Sequence, residues 1–146
     1  MGDISKDIKS TFANQKVKAL INIKYTANWL SSKENVFFKD FGISPQQYNI
    51  LRILRGAGKK IKAQTVKERM IERAPNSTRL MDKLCEKNLT FRERCEHDKR
   101  VVYVEISDEG LELLLKIDKV NSKLNVLKNL TDKEAEQLSD LLDKIR

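Results

Sequence analysis

Three short clusters hold most of the chemistry this chain can offer. Asn76-Ser77-Thr78-Arg79 is a run of hydrogen-bonding side chains ending in a guanidinium, with Lys83 four residues further on. A guanidinium can donate two parallel bonds to the O6 and N7 of guanine, and a carboxamide can pair with adenine in the same way. Lys62, Gln64 and Thr65 form a second cluster, and Asp98-Lys99-Arg100 a third. Short polar side chains and backbone N–H groups at a helix start can also hold phosphate. Nothing comparable speaks for catalysis. No nucleophile–base pair or carboxylate pair falls at a plausible site, so the chain is expected not to be an enzyme. His97 is the only histidine. Cys85 and Cys95, with nine residues between them, suit neither a disulfide framework nor a zinc site. No metal and no cofactor is expected, and the thiols read as packing residues.

The charge is placed where these clusters are. Residues 1–51 carry a net +3, residues 52–100 carry +8, and residues 101–146 carry −3, so the middle third matches the +8 of the whole chain. A basic segment between near-neutral ones is the footprint of a polyanion binder. At 40% hydrophobic and 34% charged, the 146 residues read as one soluble globular domain, not a disordered one. The opening residues lack the apolar core of a signal peptide, and no apolar run could cross a bilayer. A cytoplasmic location without membrane contact is expected.

Elements must hold these side chains in place. The first 40 residues have a helical pattern, with Ile4, Ile8 and Phe12 four apart and Val17, Leu20, Ile21, Lys24 and Trp29 following, until Gly42 ends the run. A helix this long cannot bury its apolar stripe on one small domain, so part of it should face another subunit. Ser44-Pro45-Gln46-Gln47 is a helix start with Pro at the first position. That helix carries Tyr48, Leu51 and Leu54 inward, and Gly56 and Gly58 stop it. Ala63 to Met70 forms a short helix. Pro75 opens the next one, which buries Leu80, Leu84 and Met81 or Cys85 and ends near Asn88, a residue that tolerates the left-handed conformation. Helix, turn, helix is the resulting motif. Thr90–Cys95 and Val101–Ile106 read as a hairpin with the polar tip Glu96-His97-Asp98-Lys99-Arg100. Ser107 caps a helix carrying Leu111 through Leu127, and Thr131-Asp132-Lys133-Glu134 is a capping box for a last helix with Leu138, Leu141, Leu142 and Ile145 on one side. The order is α-α-α-α-β-β-α-α, mainly helical with a small β-hairpin.

The set Thr78-Arg79-Leu80-Met81-Asp82-Lys83-Leu84, Glu86-Lys87-Asn88-Leu89, Asp98-Lys99-Arg100 and Ser107-Asp108-Glu109-Gly110 resembles the MarR family of bacterial winged helix-turn-helix regulators, in order and in spacing. Gly42 to Tyr48 matches the start of that family's second helix. The likeness spans about residues 10 to 146. Asn88 departs from the family's usual Gly, and Ala74 stands where a capping Ser or Asp is common. An alanine cap forgoes roughly 1 kcal/mol of helix-start stability.

The resemblance implies a single domain over 1–146, with a winged helix-turn-helix over 44–106 and dimerisation helices in 1–41 and 107–146. It implies a homodimeric repressor on an inverted-repeat operator of double-stranded DNA. The DNA-binding residues would be Lys62, Gln64, Thr65, Asn76, Ser77, Thr78, Arg79, Lys83, Asp98, Lys99 and Arg100. In the family the final Arg of the wing motif reaches the minor groove, and the Asp holds it by a salt bridge. Members often respond to small aromatic or anionic compounds, for which Tyr25, Trp29, Phe38 and Tyr48 could line a crevice. The core offers those four aromatics a plainer place. An RNA-binding or protein-interaction module on the same fold is the alternative reading.

Overall fold

The computed structural model describes residues 2–73 and 75–146, so the expectation for Ala74 as a weak cap lies outside the described residues. The chain forms two compact units, one up to Pro45 and one from Gln46 on.

The first unit holds α1 (Ile4–Asp7) and α2 (Gln15–Lys39). One continuous helix was expected, and the break has local causes. Asp3 caps α1 by accepting the Ser5 N–H at 3.0 Å, and Lys9 then turns into positive φ. Asn14 starts a new helix by accepting the Val17 N–H at 3.0 Å. Gly42, at φ 69°, ends this stretch as expected. The Ile43 and Gly42 N–H groups bond back to the Phe38 and Lys39 carbonyls, which satisfies the last turn. Ile4 is buried, not part of an exposed stripe. The exposed apolar residues of this unit are Val17, Leu20, Ile23, Tyr25, Trp29 and Val36 on α2.

The second unit begins with α3 (Pro45–Ala57), closed by Gly58 at φ 64°; Gly56 lies inside the helix. β1 (Ile61–Lys62), α4 (Ala63–Arg69) and α5 (Ser77–Glu86) follow, then β2 (Thr90–Arg94) and β3 (Val102–Ile106). The hairpin sits where expected. β1 adds a strand that was not foreseen, giving the antiparallel order β1-β3-β2, with Ile61 opposite Val104 and Lys62 opposite Tyr103. Ile50, Leu51, Leu54, Val66, Met70, Met81, Leu84, Val104, Leu114 and Ile117 are the buried apolar residues of this unit. On α5 the buried residues are Ser77, Met81 and Leu84; Leu80 and Cys85 are only half-buried, and Pro75 lies in the turn ahead of the helix.

The end of α5 is pinned to the start of α6 (Asp108–Val120). Asn88, at φ 59°, takes the left-handed position, and the Leu89 and Asn88 N–H groups bond to the Leu84 and Cys85 carbonyls. The Ser107 hydroxyl donates to the Asn88 carbonyl at 2.6 Å and accepts the Gly110 N–H at 3.0 Å. A Cβ on Gly110 would stand 2.3 Å from the Leu89 oxygen, so only glycine allows this approach. α6 stops at Val120, well short of Leu127. A 3₁₀ turn, Asn121–Leu124, follows, where Val120 leaves helical dihedrals at φ −117°. α7 (Asp132–Asp143) carries the expected capping box between Thr131 and Glu134. Among the described residues, no helix is long and apolar enough to cross a membrane.

Candidate nucleic-acid interface

α5 divides its residues cleanly. Ser77, Met81 and Leu84 follow helical spacing on the inner side, while Asn76, Thr78, Arg79 and Lys83 are exposed. Ser77, expected as a contact residue, is only 5% exposed and belongs to the inward stripe, unlike Asn76, Thr78 and Arg79. Asn76 precedes the helix without a side-chain capping bond.

Beside α5, a cleft of about 220 Å³ gathers candidates from β1, α4, α5 and the wing. Lys62 and Gln64 come from β1 and α4, Thr78 from α5, and Arg100 from the wing; Lys67 and Arg92 add two further cations. Lys67 and Arg92 were missed, although both carry a signal. Lys67 stands one helical turn after Gln64, and Arg92 lies on the alternating strand that leads into the wing. Arg92 is ion-paired to Asp82, which ties β2 to α5. Thr65, Asn76, Arg79, Lys83, Asp98 and Lys99 are not part of this lining. Of these, Thr65 is half-buried and the others are exposed.

The wing tip is ordered by its own backbone. The Cys95 N–H bonds to the Val101 carbonyl at 2.9 Å, and the Val101 N–H to the Asp98 carbonyl at 2.9 Å. Asp98 Oδ1 accepts the Arg100 backbone N–H at 3.0 Å. The expected ion pair from Asp98 to the Arg100 guanidinium is not among the ion pairs of the described residues. Asp98 shapes the turn instead, and the Arg100 head stays exposed. Lys60, close in sequence to the cleft-lining Lys62, is engaged elsewhere. Its ammonium donates to Glu93 at 2.8 Å and lies 5.6 Å from the Tyr103 ring centre. The Glu93 bond holds its pKa above the ordinary lysine value.

The four aromatic candidates have different surroundings. Phe38 is 1% exposed and serves the core. Tyr25 and Trp29, expected in core patterns, are about two-fifths exposed in the single chain, with Lys33 5.9 Å from the Trp29 ring centre. Tyr48 is half-buried and its hydroxyl accepts from Arg52 at 2.9 Å.

A family model described as transcriptional regulator SarA/Rot matches residues 32–117. YkoM, an HTH-type transcriptional regulator of Bacillus subtilis, is 32% identical over 108 residues, covering 73% of this chain and 70% of that protein. The crystal structure of a MarR transcription factor from Planctomyces limnophilus is 29% identical with a TM-score of 0.71, over 91% of this chain and 98% of that one. A mutant of MarR from E. coli, crystallised with operator DNA, is 24% identical with a TM-score of 0.74 and 99% coverage of both chains, a likeness of fold. The protein therefore belongs to the SarA/Rot family of transcriptional regulators, with a winged helix of the MarR type.

Proposed function

We propose that the chain acts as a homodimeric repressor that binds an inverted-repeat operator in double-stranded DNA. The observation that carries this reading is the cleft in which Lys62, Lys67, Arg92 and Arg100 converge with Gln64 and Thr78, next to the exposed Thr78, Arg79 and Lys83 of α5. Four cations from separate elements suit a phosphate backbone, and the outward side chains of α5 suit base edges. α5 is the second helix of the motif, the one that enters the major groove in such folds. A protein of this fold, a mutant of MarR from E. coli, has been crystallised with operator DNA, which supports DNA as the partner by analogy. Ser77 is left out of the proposed contact set, since it is buried.

The dimer rests on apolar side chains left exposed on α2 and α7, among them Val36 at 72% and Leu141 at 62%. Release by a small aromatic or anionic effector completes the reading, with the exposed rings of Tyr25 and Trp29 as its candidates. Such a ligand acts only by binding the DNA-free geometry better than the bound one.

Selection of bound duplexes from a random pool tests the proposal. A palindromic consensus with half-sites about one helical turn apart is expected. Affinity should fall steeply with salt as condensed counterions are released. Equal affinity for single-stranded RNA of the same length would favour the RNA-binding alternative.

A further inference from the structure

α5 is held from outside itself. Its N-cap, Asn76, makes no side-chain capping bond. Between Met70 and Ser77, both buried at 5%, the described residues Ile71, Glu72, Arg73, Pro75 and Asn76 are all exposed. Ile71 is 88% exposed, so its own side chain does not anchor the backbone here. Two side chains of α3 bond to Ile71 and Glu72. The Ile71 backbone N–H donates to Asn49 Oδ1 at 3.0 Å, across 22 residues of sequence. One turn earlier on α3, Gln46 Nε2 donates to Glu72 Oε2 at 2.9 Å. The spacing i, i+3 puts Gln46 and Asn49 on one helical face, aimed at two consecutive residues of the turn. Asparagine is a poor choice inside a helix, where it competes for backbone bonds. Here its cost is offset by a donor that no helix or sheet satisfies.

We propose that Asn49 is a positioning residue for sequence recognition: its side-chain oxygen, assisted by Gln46, clamps the α4–α5 turn and so sets where Thr78 and Arg79 meet a base. The inference rests on the DNA-binding reading above. Asn49 touches no nucleic acid itself, and its effect is on discrimination between sequences.

The test compares Asn49→Ala with Asn49→Asp. Aspartate keeps the acceptor oxygen and loses only the amide donor. Its added charge weakens binding to every duplex alike, so the readout is the ratio of affinities for the selected duplex and a scrambled one. Asn49→Ala should lower that ratio roughly three- to tenfold, the range that one lost hydrogen bond covers. Asn49→Asp should stay within about twofold of the unaltered protein, on the same reasoning. An unchanged ratio in Asn49→Ala, or equal loss in both variants, overturns the proposal. Hydrogen exchange at the Ile71 amide in the DNA-free protein tests the clamp separately. Exchange should quicken in Asn49→Ala and not in Asn49→Asp, and equal rates in all three proteins also overturn it. A protein with intact Asn49 that prefers no duplex sequence would defeat the DNA-binding reading instead, while the exchange rates still decide the clamp.

Discussion

Arg79 and Arg100 carry the same charge on different elements, and the elements decide what each can read. Arg79 stands on the exposed side of α5, whereas Arg100 ends a wing turn shaped by the Asp98 carboxylate. Under the proposed docking, Arg79 meets base edges in the major groove and Arg100 meets the narrow, electronegative minor groove. Arg79→Ala should then cost about 1–3 kcal/mol per half-site on the preferred sequence and relax the preference at one position. Arg100→Ala should weaken binding most where A·T-rich flanks narrow the groove. Operator affinities against a panel varied at central and flanking positions separate the two, with thermal melts as control. Equal losses across the panel would mean that neither arginine reads sequence or shape. Single residues also mark the limit of pattern reading. Ser77 has the polar character of a contact residue, yet its spacing to Met81 and Leu84 puts it on the buried side. Side-chain type and helical phase point in opposite directions there, and phase wins because burial of the neighbouring stripe fixes the helix rotation.

Elements whose signals are local were legible in the sequence. Pro45, Gly58, Asn88, Ser107 and Thr131 each mark a boundary the structure contains, because a cap or a positive φ is decided within a few residues. β1 was not legible. Its two residues pair with Val104 and Tyr103 some 40 positions away, and no local pattern encodes such a partner. The breaks at residues 8–14 and 121–124 were missed for another reason. Apolar spacing runs across both, while the backbone departs from helical dihedrals at Asn14 and at Val120. The candidate site divides the same way. Each basic residue is visible in the sequence, but the convergence of Lys67 and Arg92 with Arg100 needs the sheet register. Thr131 and Glu134 make a testable local device. The Thr131 backbone N–H donates to the Glu134 carboxylate at 2.8 Å, and this bond, followed by that from the hydroxyl, holds the carboxyl below the ordinary glutamate value. A depressed folded pKa gives stability that is present above the unfolded value and lost as pH falls through the folded one. Glu134→Gln should therefore loosen α7 at neutral pH, and its deficit in helix melting should shrink to nothing in acid. Melting curves by circular dichroism at stepped pH decide it; a deficit that stays constant with pH would show that the charge on Glu134 is irrelevant.

At the scale of the whole molecule, charge and apolar surface are segregated along the chain. The basic excess lies in residues 52–100, while exposed apolar side chains concentrate on α2 and in the last 20 residues. Scattered exposed leucines need no explanation, but Val17, Leu20, Ile23, Trp29 and Val36 share one helix, and Leu138 and Leu141 lie on α7 with Ile145 just after it. The proposed homodimer would cover these side chains, and a second copy of the chain also supplies two-fold symmetry. Ile4 is buried and Ile8 and Phe12 are half-buried, so this stretch offers less exposed apolar surface than expected. Sedimentation at micromolar concentration should give about twice the 16.9 kDa chain mass. Leu141→Glu combined with Ile145→Glu should shift the protein to monomer without melting the second unit, because both side chains are exposed in the single chain. The linked consequence is lost avidity. A monomer engages one half-site at a time, so affinity for the full inverted repeat should fall on the order of a hundredfold or more, while affinity for an isolated half-site stays unchanged. Unaltered protein that sediments at the single-chain mass would remove the dimer, and with it the reason to expect a palindromic operator. A double variant that is monomeric yet binds the full repeat as tightly as before would show that the two half-sites are not read together.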